Sequence, residues 1–186
     1  MGLSFDRDLR QRLASFLRPF YQDLDGVSRF EDVERIAAIA RRLYSPPPED
    51  ERAFELLLLF HRLGRWLEKV GNLSRAVLAV GGLTEAELRR TAASIGRLHA
   101  PVSDAERAVA AAGLIDSAGV RGLTEHFARA RREGNSLMDV LRAALSEVAV
   151  PEWLPRRAEE WLHQRREARR ETCRRLLEEL QLDDLR

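Results

Sequence analysis

The sequence contains one lysine and one cysteine in 186 residues, and aromatic side chains make up only 6% of it. A single cysteine, Cys173, excludes an intrachain disulfide. A catalytic thiol would need an electropositive, accessible setting; otherwise Cys173 is simply a small residue on a helix face. The scarcity of aromatics leaves the core to Leu, Ala, Val and Ile. No apolar run approaches the ~20 residues that a membrane-spanning helix requires. The opening MGLSFDRDLRQRL carries acids and lacks an apolar signal core, so the sequence reads as a cytoplasmic protein without a membrane partner. Walker-type phosphate loops, G-x-G-x-x-G, paired-cysteine zinc motifs and the G-x-S-x-G elbow are all absent, as are repeats of solenoid period.

Charge is plentiful, at 33% of residues, yet the net charge is only +1. Apart from Lys69, every cation is arginine, a residue that binds phosphate and carboxylate in a bidentate way that lysine cannot. Acids interleave with these arginines almost one for one, which describes a solvated surface laced with ion pairs. The segment RREARRETCRR, residues 165–175, could touch nucleic acid, but its interleaved glutamates argue against tight tracking of a phosphate backbone. An arginine-rich nucleic-acid-associated helical protein is therefore an alternative and not the main reading.

Apolar periodicity near 3.6 residues runs through almost the whole chain, and no segment reads as a strand. A first helix is expected over 5–24, with Leu9, Leu13, Phe16 and Phe20 on one face; Pro19 should kink or split it near Arg18. A second opens at Ser28 with Glu31 three residues on, a capping box, and presents Val33, Ile36, Ala37, Ala40 and Leu43. A third, over 49–70, is apolar on all sides in its middle and should be the central buried helix, with Gly71 as its C-cap. A short helix over 74–80 follows. Thr84 with Glu87, Ser103 with Glu106 and Ser136 with Asp139 open helices to about 99, 118 and 148, and 120–132 forms another, ended by Gly134. The expected architecture is one all-α, HD-domain-like helical bundle: an N-terminal helix in 1–27, a core over 28–150 and a long C-terminal helix over 155–182. That last helix would span roughly 40 Å. Its thin stripe of Ala158, Trp161, Leu162, Cys173, Leu176, Leu177 and Leu180 must be covered, by the domain near Trp161 and by a second subunit near Leu176 and Leu180. This predicts a homodimer.

The most informative stretch is ERAFELLLLFHRLGR, residues 51–65. Five consecutive large apolar residues run straight into His61-Arg62, followed by Leu63-Gly64-Arg65. Upstream, Val33, Ile36, Ala37 and Ala40 follow Phe30 on a helix. Downstream, Arg97-Leu98-His99-Ala100-Pro101 closes a helix with a histidine and a proline, and 111–122 reads AAGLIDSAGVRG. In its order of features the region 28–180 resembles the HD phosphohydrolase superfamily, all-helical metal hydrolases of phosphate esters. Members carry a histidine where this chain has Phe30, an His-Asp doublet where it has His61-Arg62, and a last aspartate where it has Gly113. Of the four usual metal ligands only His61 remains, and a guanidinium repels a divalent cation.

The resemblance thus implies the fold but not its usual chemistry: a non-catalytic pseudo-phosphohydrolase acting in binding or assembly, with no catalytic residue, no metal and no cofactor. The alternative it leaves open is an active metal-dependent phosphohydrolase with a rearranged site. Candidate ligand-binding residues are His61, Arg62, Arg65, His99 and Asp116, with a small phosphate- or carboxylate-bearing molecule as the expected partner. His61 and Arg62 also have a structural reading. His61 would be a core histidine donating to a backbone carbonyl, and Arg62 would pair with Asp116 or a neighbouring acid. His126 and His163 lie among charges and read as solvated, and Gly119 and Gly122 read as a turn between helices.

Overall fold

The computed structural model describes residues 7–23, 30–63, 71–146 and 149–183. Among these the chain is all-α: nine helices and no strand. They are α1 (Arg7–Asp23), α2 (Phe30–Leu43), α3 (Glu51–Phe60), α4 (Gly71–Gly81), α5 (Glu85–Gly96), α6 (Asp104–Ala118), α7 (Val120–Glu133), α8 (Leu137–Leu145) and α9 (Arg156–Asp183). None is long and apolar enough to cross a membrane. The contacts divide the chain into two compact units, Met1–Ala112 and Gly113–Arg186.

In the first unit α3 is the central element. Every residue from 54 to 60 is buried. Its faces serve two clusters. Leu56, Leu59 and Phe60 pack with Leu9, Leu13, Leu17 and Tyr21 of α1, and with Phe30 and Val33 of α2. Phe54, Leu57 and Leu58 pack with Ile36, Ala37 and Ala40 of α2, and with Ala108, Val109 and Ala112 of α6. A helix buried all round is what an apolar run without a polar face demands.

Three expectations need correction here. Pro19 lies inside α1 and does not split it. A proline loses one backbone donor and crowds the preceding turn, but Leu13, Leu17 and Tyr21 lie on one face and are fully buried, so packing on both sides of Pro19 holds the helix together. Second, α3 stops at Phe60 rather than near residue 70, and residues 61–62 form a turn. The last carbonyls of a helix lack partners within it, and side chains take two of them: the Tyr21 hydroxyl donates to the Leu59 carbonyl at 2.7 Å and the His61 ring lies 2.8 Å from that of Leu58. Third, Gly71 opens α4 rather than closing α3. The expected start at Ser28 and the Gly64-Arg65 tail lie outside the described residues.

The capping boxes are legible in the backbone. Thr84 and Glu87 make both reciprocal bonds. Ser103 accepts from the Glu106 N–H at 3.2 Å while the Glu106 carboxylate accepts from the Ser103 N–H at 3.2 Å. Ser136 accepts from the Asp139 N–H at 3.1 Å.

In the second unit, Leu123, Leu141, Ala144 and Cys173 form a core against which Phe127, Leu145, Leu176, Leu177 and Leu180 are partly buried. The apolar stripe at the end of α9 therefore packs in part on α7 and α8 of the same chain. Cys173 is fully buried, and desolvation pushes its thiol up despite nearby Arg169; it is a small core residue. Gly119 precedes α7, with the Arg165 side chain lying against it. Gly122 lies within α7, where a Cβ would run into the Ser117 carbonyl.

Two substitutions test this packing by chemical denaturation. Leu58→Ala should cost about 2–5 kcal/mol, from lost burial plus the cavity left behind; a loss under ~1 kcal/mol would mean that α3 is not the core helix. Gly122→Ala should destabilise, although helix propensity alone favours alanine by about 1 kcal/mol; a stabilised variant would show that α7 does not approach Ser117 so closely.

Candidate functional site

The turn that ends α3 brings together the residues that the sequence singled out at the doublet. His61 is half-buried, and its Nδ1–H donates to the Leu58 carbonyl. This is the core-histidine role, and it fixes the proton on Nδ1. Arg62 reaches back to α2, where its Nη1 lies 3.8 Å from Oδ2 of Asp32. Asp32 is wholly buried, and its Oδ1 also accepts from Nη2 of Arg35 at 2.7 Å. The guanidinium beside His61 thus meets a buried carboxylate two residues past Phe30. The expectation that Arg62 pairs with a neighbouring acid holds, and the acid is Asp32.

Aromatic rings lie close to this pair. The Tyr21 and Phe30 rings meet edge to face at 5.7 Å, and the Arg18 guanidinium lies 5.5 Å from the Phe30 centroid. Burial pushes the Tyr21 phenol well above its ordinary range, although the Arg62 N–H and charge pull the other way. Tyr21 therefore stays neutral and serves as a hydrogen-bond donor, not as a base.

A divalent metal does not fit these residues. Phe30 offers no ligand atom, Arg62 is a cation, and among the described residues no three or more His, Cys, Asp or Glu side chains converge so as to hold an ion. His99 is exposed on the turn after α5, Asp116 belongs to the second unit, and Arg65 lies outside the described residues.

Three buried carboxylates escaped the sequence reading. Asp32 lies in register with Val33, Ile36 and Ala40 on the buried face of α2, and an acid in phase with an apolar stripe was the available signal. Glu55 interrupts the apolar run of α3; Arg41 grips it with Nε and Nη2 at 2.7–2.9 Å, and Arg10 adds Nε at 3.1 Å. Glu106 was read only as half of a capping box. It is 1% exposed and accepts from Arg97 at 2.6 and 3.1 Å, as well as from the N–H groups of Val102 and Ser103.

The first unit also contains a cleft of about 910 Å³, between the start of α3, α5 and the start of α6. Its apolar floor includes Phe54 and Leu57, and Tyr44 stands edge-on to Phe54 at 5.4 Å. Neither His61, Arg62 nor His99 lines it. The volume is in the range that suits a small organic ligand.

Burial alone would raise the Glu106 carboxyl, but Arg97, the two backbone N–H groups and the Ser94 hydroxyl outweigh it and hold the group at about 2, against an ordinary 4.5. A depressed carboxylate stabilises the fold fully above its unfolded value and loses that contribution as pH falls towards the folded one. Denaturation of the wild type should therefore weaken between about pH 4.5 and about pH 2, and Glu106→Gln should be less stable at neutral pH and lose less over that window. Equal acid sensitivity in the two proteins would remove Glu106 as a source.

No family model matches the chain, and no curated protein does. Among solved structures, Bacillus subtilis YpgQ in complex with ADP is similar, at 17% identity and a TM-score of 0.62, over 92% of this chain and 96% of that one. A second YpgQ structure gives 15% identity and a TM-score of 0.60 over 91% and 96%. At such identities the likeness is one of fold, an all-helical architecture spanning nearly the full length of both chains.

Proposed function

We propose that this chain is a non-catalytic member of the HD phosphohydrolase superfamily, a cytoplasmic protein that acts by binding or assembly. The observation that carries this reading is the Arg62–Asp32 pair beside His61. Where the resemblance calls for a carboxylate next to the histidine, the chain has a guanidinium, and where it calls for a histidine at the start of the preceding helix it has Phe30. A fixed positive charge paired with a buried acid takes the electrostatic place of the metal ion, but supplies neither a Lewis acid nor an activated water.

The expected ligand carries a phosphate or carboxylate. Arginine suits either group, and one YpgQ structure, of the same fold, is a complex with ADP. Arg62 already has Asp32 as its counter-charge, so it would contribute to binding as a shared donor and not as an open anion site.

The full chain should hydrolyse nucleotides and p-nitrophenyl phosphate no faster than background with Mn²⁺ or Co²⁺ added, and elemental analysis should find no stoichiometric transition metal. Metal-dependent turnover abolished by His61→Ala, or one tightly held ion per chain, would establish the active phosphohydrolase instead.

A further inference from the structure

The cleft of the first unit settles most of its own charges. Arg52 donates to Glu87 at 2.5 Å, Arg97 to Glu106 at 2.6 Å and Arg107 to Asp104 at 3.0 Å. With these three pairs set aside, Glu49, Asp50 and Arg90 line the cleft and form no ion pair or side-chain hydrogen bond with any described residue. Arg97 uses Nε and Nη2 on Glu106 and Ser94, which leaves Nη1 as an open donor.

These remaining groups lie on different walls. Glu49 and Asp50 precede α3, near Tyr44; after desolvation, the charges of Asp50, Asp104 and Glu49 are what push the Tyr44 phenol up. Asp50 occupies the N-cap of α3 yet makes no capping hydrogen bond, so its carboxylate is not used by the helix. Arg90 lies on α5 and Arg97 is the C-cap residue that follows it, and Ser94 lines the cleft between them in sequence. Apolar Phe54, Leu57 and Ala105 line the cleft between the two walls. An anion alone would meet two uncompensated carboxylates, and a cation alone would meet Arg90. A molecule with both charges satisfies both walls, and an aromatic face beside acids suits an ammonium group.

We propose that the cleft binds a small bipolar molecule, with its cationic amine against Tyr44 and the carboxylates of Glu49 and Asp50, and its carboxylate or phosphate on Arg90 and Arg97. This assignment does not rest on the reading of His61 and Arg62: turnover at that cluster would leave the charges of the cleft where they are.

Calorimetric titration of the full chain tests it, with 4-aminobutanoate, 6-aminohexanoate, 8-aminooctanoate and O-phosphoethanolamine as bipolar probes. Hexanoate, hexylamine and inorganic phosphate are the singly charged controls. At least one bipolar probe should bind about tenfold or more tighter than any control, a difference of ~1.4 kcal/mol. Arg90→Ala and Asp50→Asn should each lower that affinity about tenfold while leaving the melting temperature unchanged, because both side chains are exposed and neither holds a helix. Three results would overturn the proposal: no saturable heat from any bipolar probe, equal affinity for inorganic phosphate alone, or unchanged affinity in either variant.

Discussion

A carboxylate in the middle of the most buried helix must be neutralised before that helix can serve as a core element, and the first unit depends on how Glu55 is treated. Arg10 from α1 and Arg41 from α2 both close on it. Two guanidiniums on one carboxylate leave it no unsatisfied lone pair directed into the core, and the stems of both arginines add apolar cover. The arrangement also sets register: the cluster forms only when Arg10, Arg41 and Glu55 arrive at the same level, which fixes α1 and α2 along α3 more sharply than interchangeable leucines could. Desolvating three charges contributes little net stability, whereas removing one partner leaves a buried charge exposed to a poor solvent. The cluster is best understood as a constraint on arrangement, with the leucines of α3 supplying the driving force.

With α3 fixed, its two ends acquire different characters. At the C-terminal end most of the strong groups are answered by described residues. The Leu58 and Leu59 carbonyls are taken by His61 and Tyr21, Asp32 is shared by Arg35 and Arg62, and Phe30 packs on Tyr21. At the N-terminal end Tyr44, Glu49 and Asp50 face a cleft, and the last two form no ion pair. A site that exchanges ligand needs room and groups whose best partner is not already in the chain, and the N-terminal end has both.

Helix content was largely legible in the sequence because it depends on local signals: periodicity, glycine and proline breaks, and N-caps, with both capping-box bonds present at Thr84 and Ser103 and the N-cap bond alone at Ser136. The central place of α3 was legible for the same reason, since five large apolar residues in a row have no solvent face. What failed were judgements that depend on what packs opposite. Pro19 does not break α1 because Leu17 and Tyr21 are anchored on both sides of it, and α3 ends at Phe60, where distant Tyr21 takes one of its freed carbonyls. The partial cover that α7 and α8 give the end stripe of α9 was likewise not readable from local sequence. None of these partners is near in sequence.

The site itself was half legible. His61 and Arg62 were found because a histidine after a buried run is conspicuous, but the acid that answers Arg62 lies thirty residues upstream, in a helix whose apolar pattern seemed complete without it. A carboxylate in phase with an apolar stripe, as Asp32 is in α2, is costly to bury unless a cation is committed to it. Such a carboxylate therefore predicts a buried arginine elsewhere in the chain. Applied to Glu55 and Glu106, the same reasoning requires cations for each, and Arg10, Arg41 and Arg97 supply them. The near balance of acids and arginines across this chain reflects in part that internal requirement, so net charge alone is a poor guide to what the protein binds. The informative quantity is the charge left after internal pairing, and in the cleft that residue is of both signs.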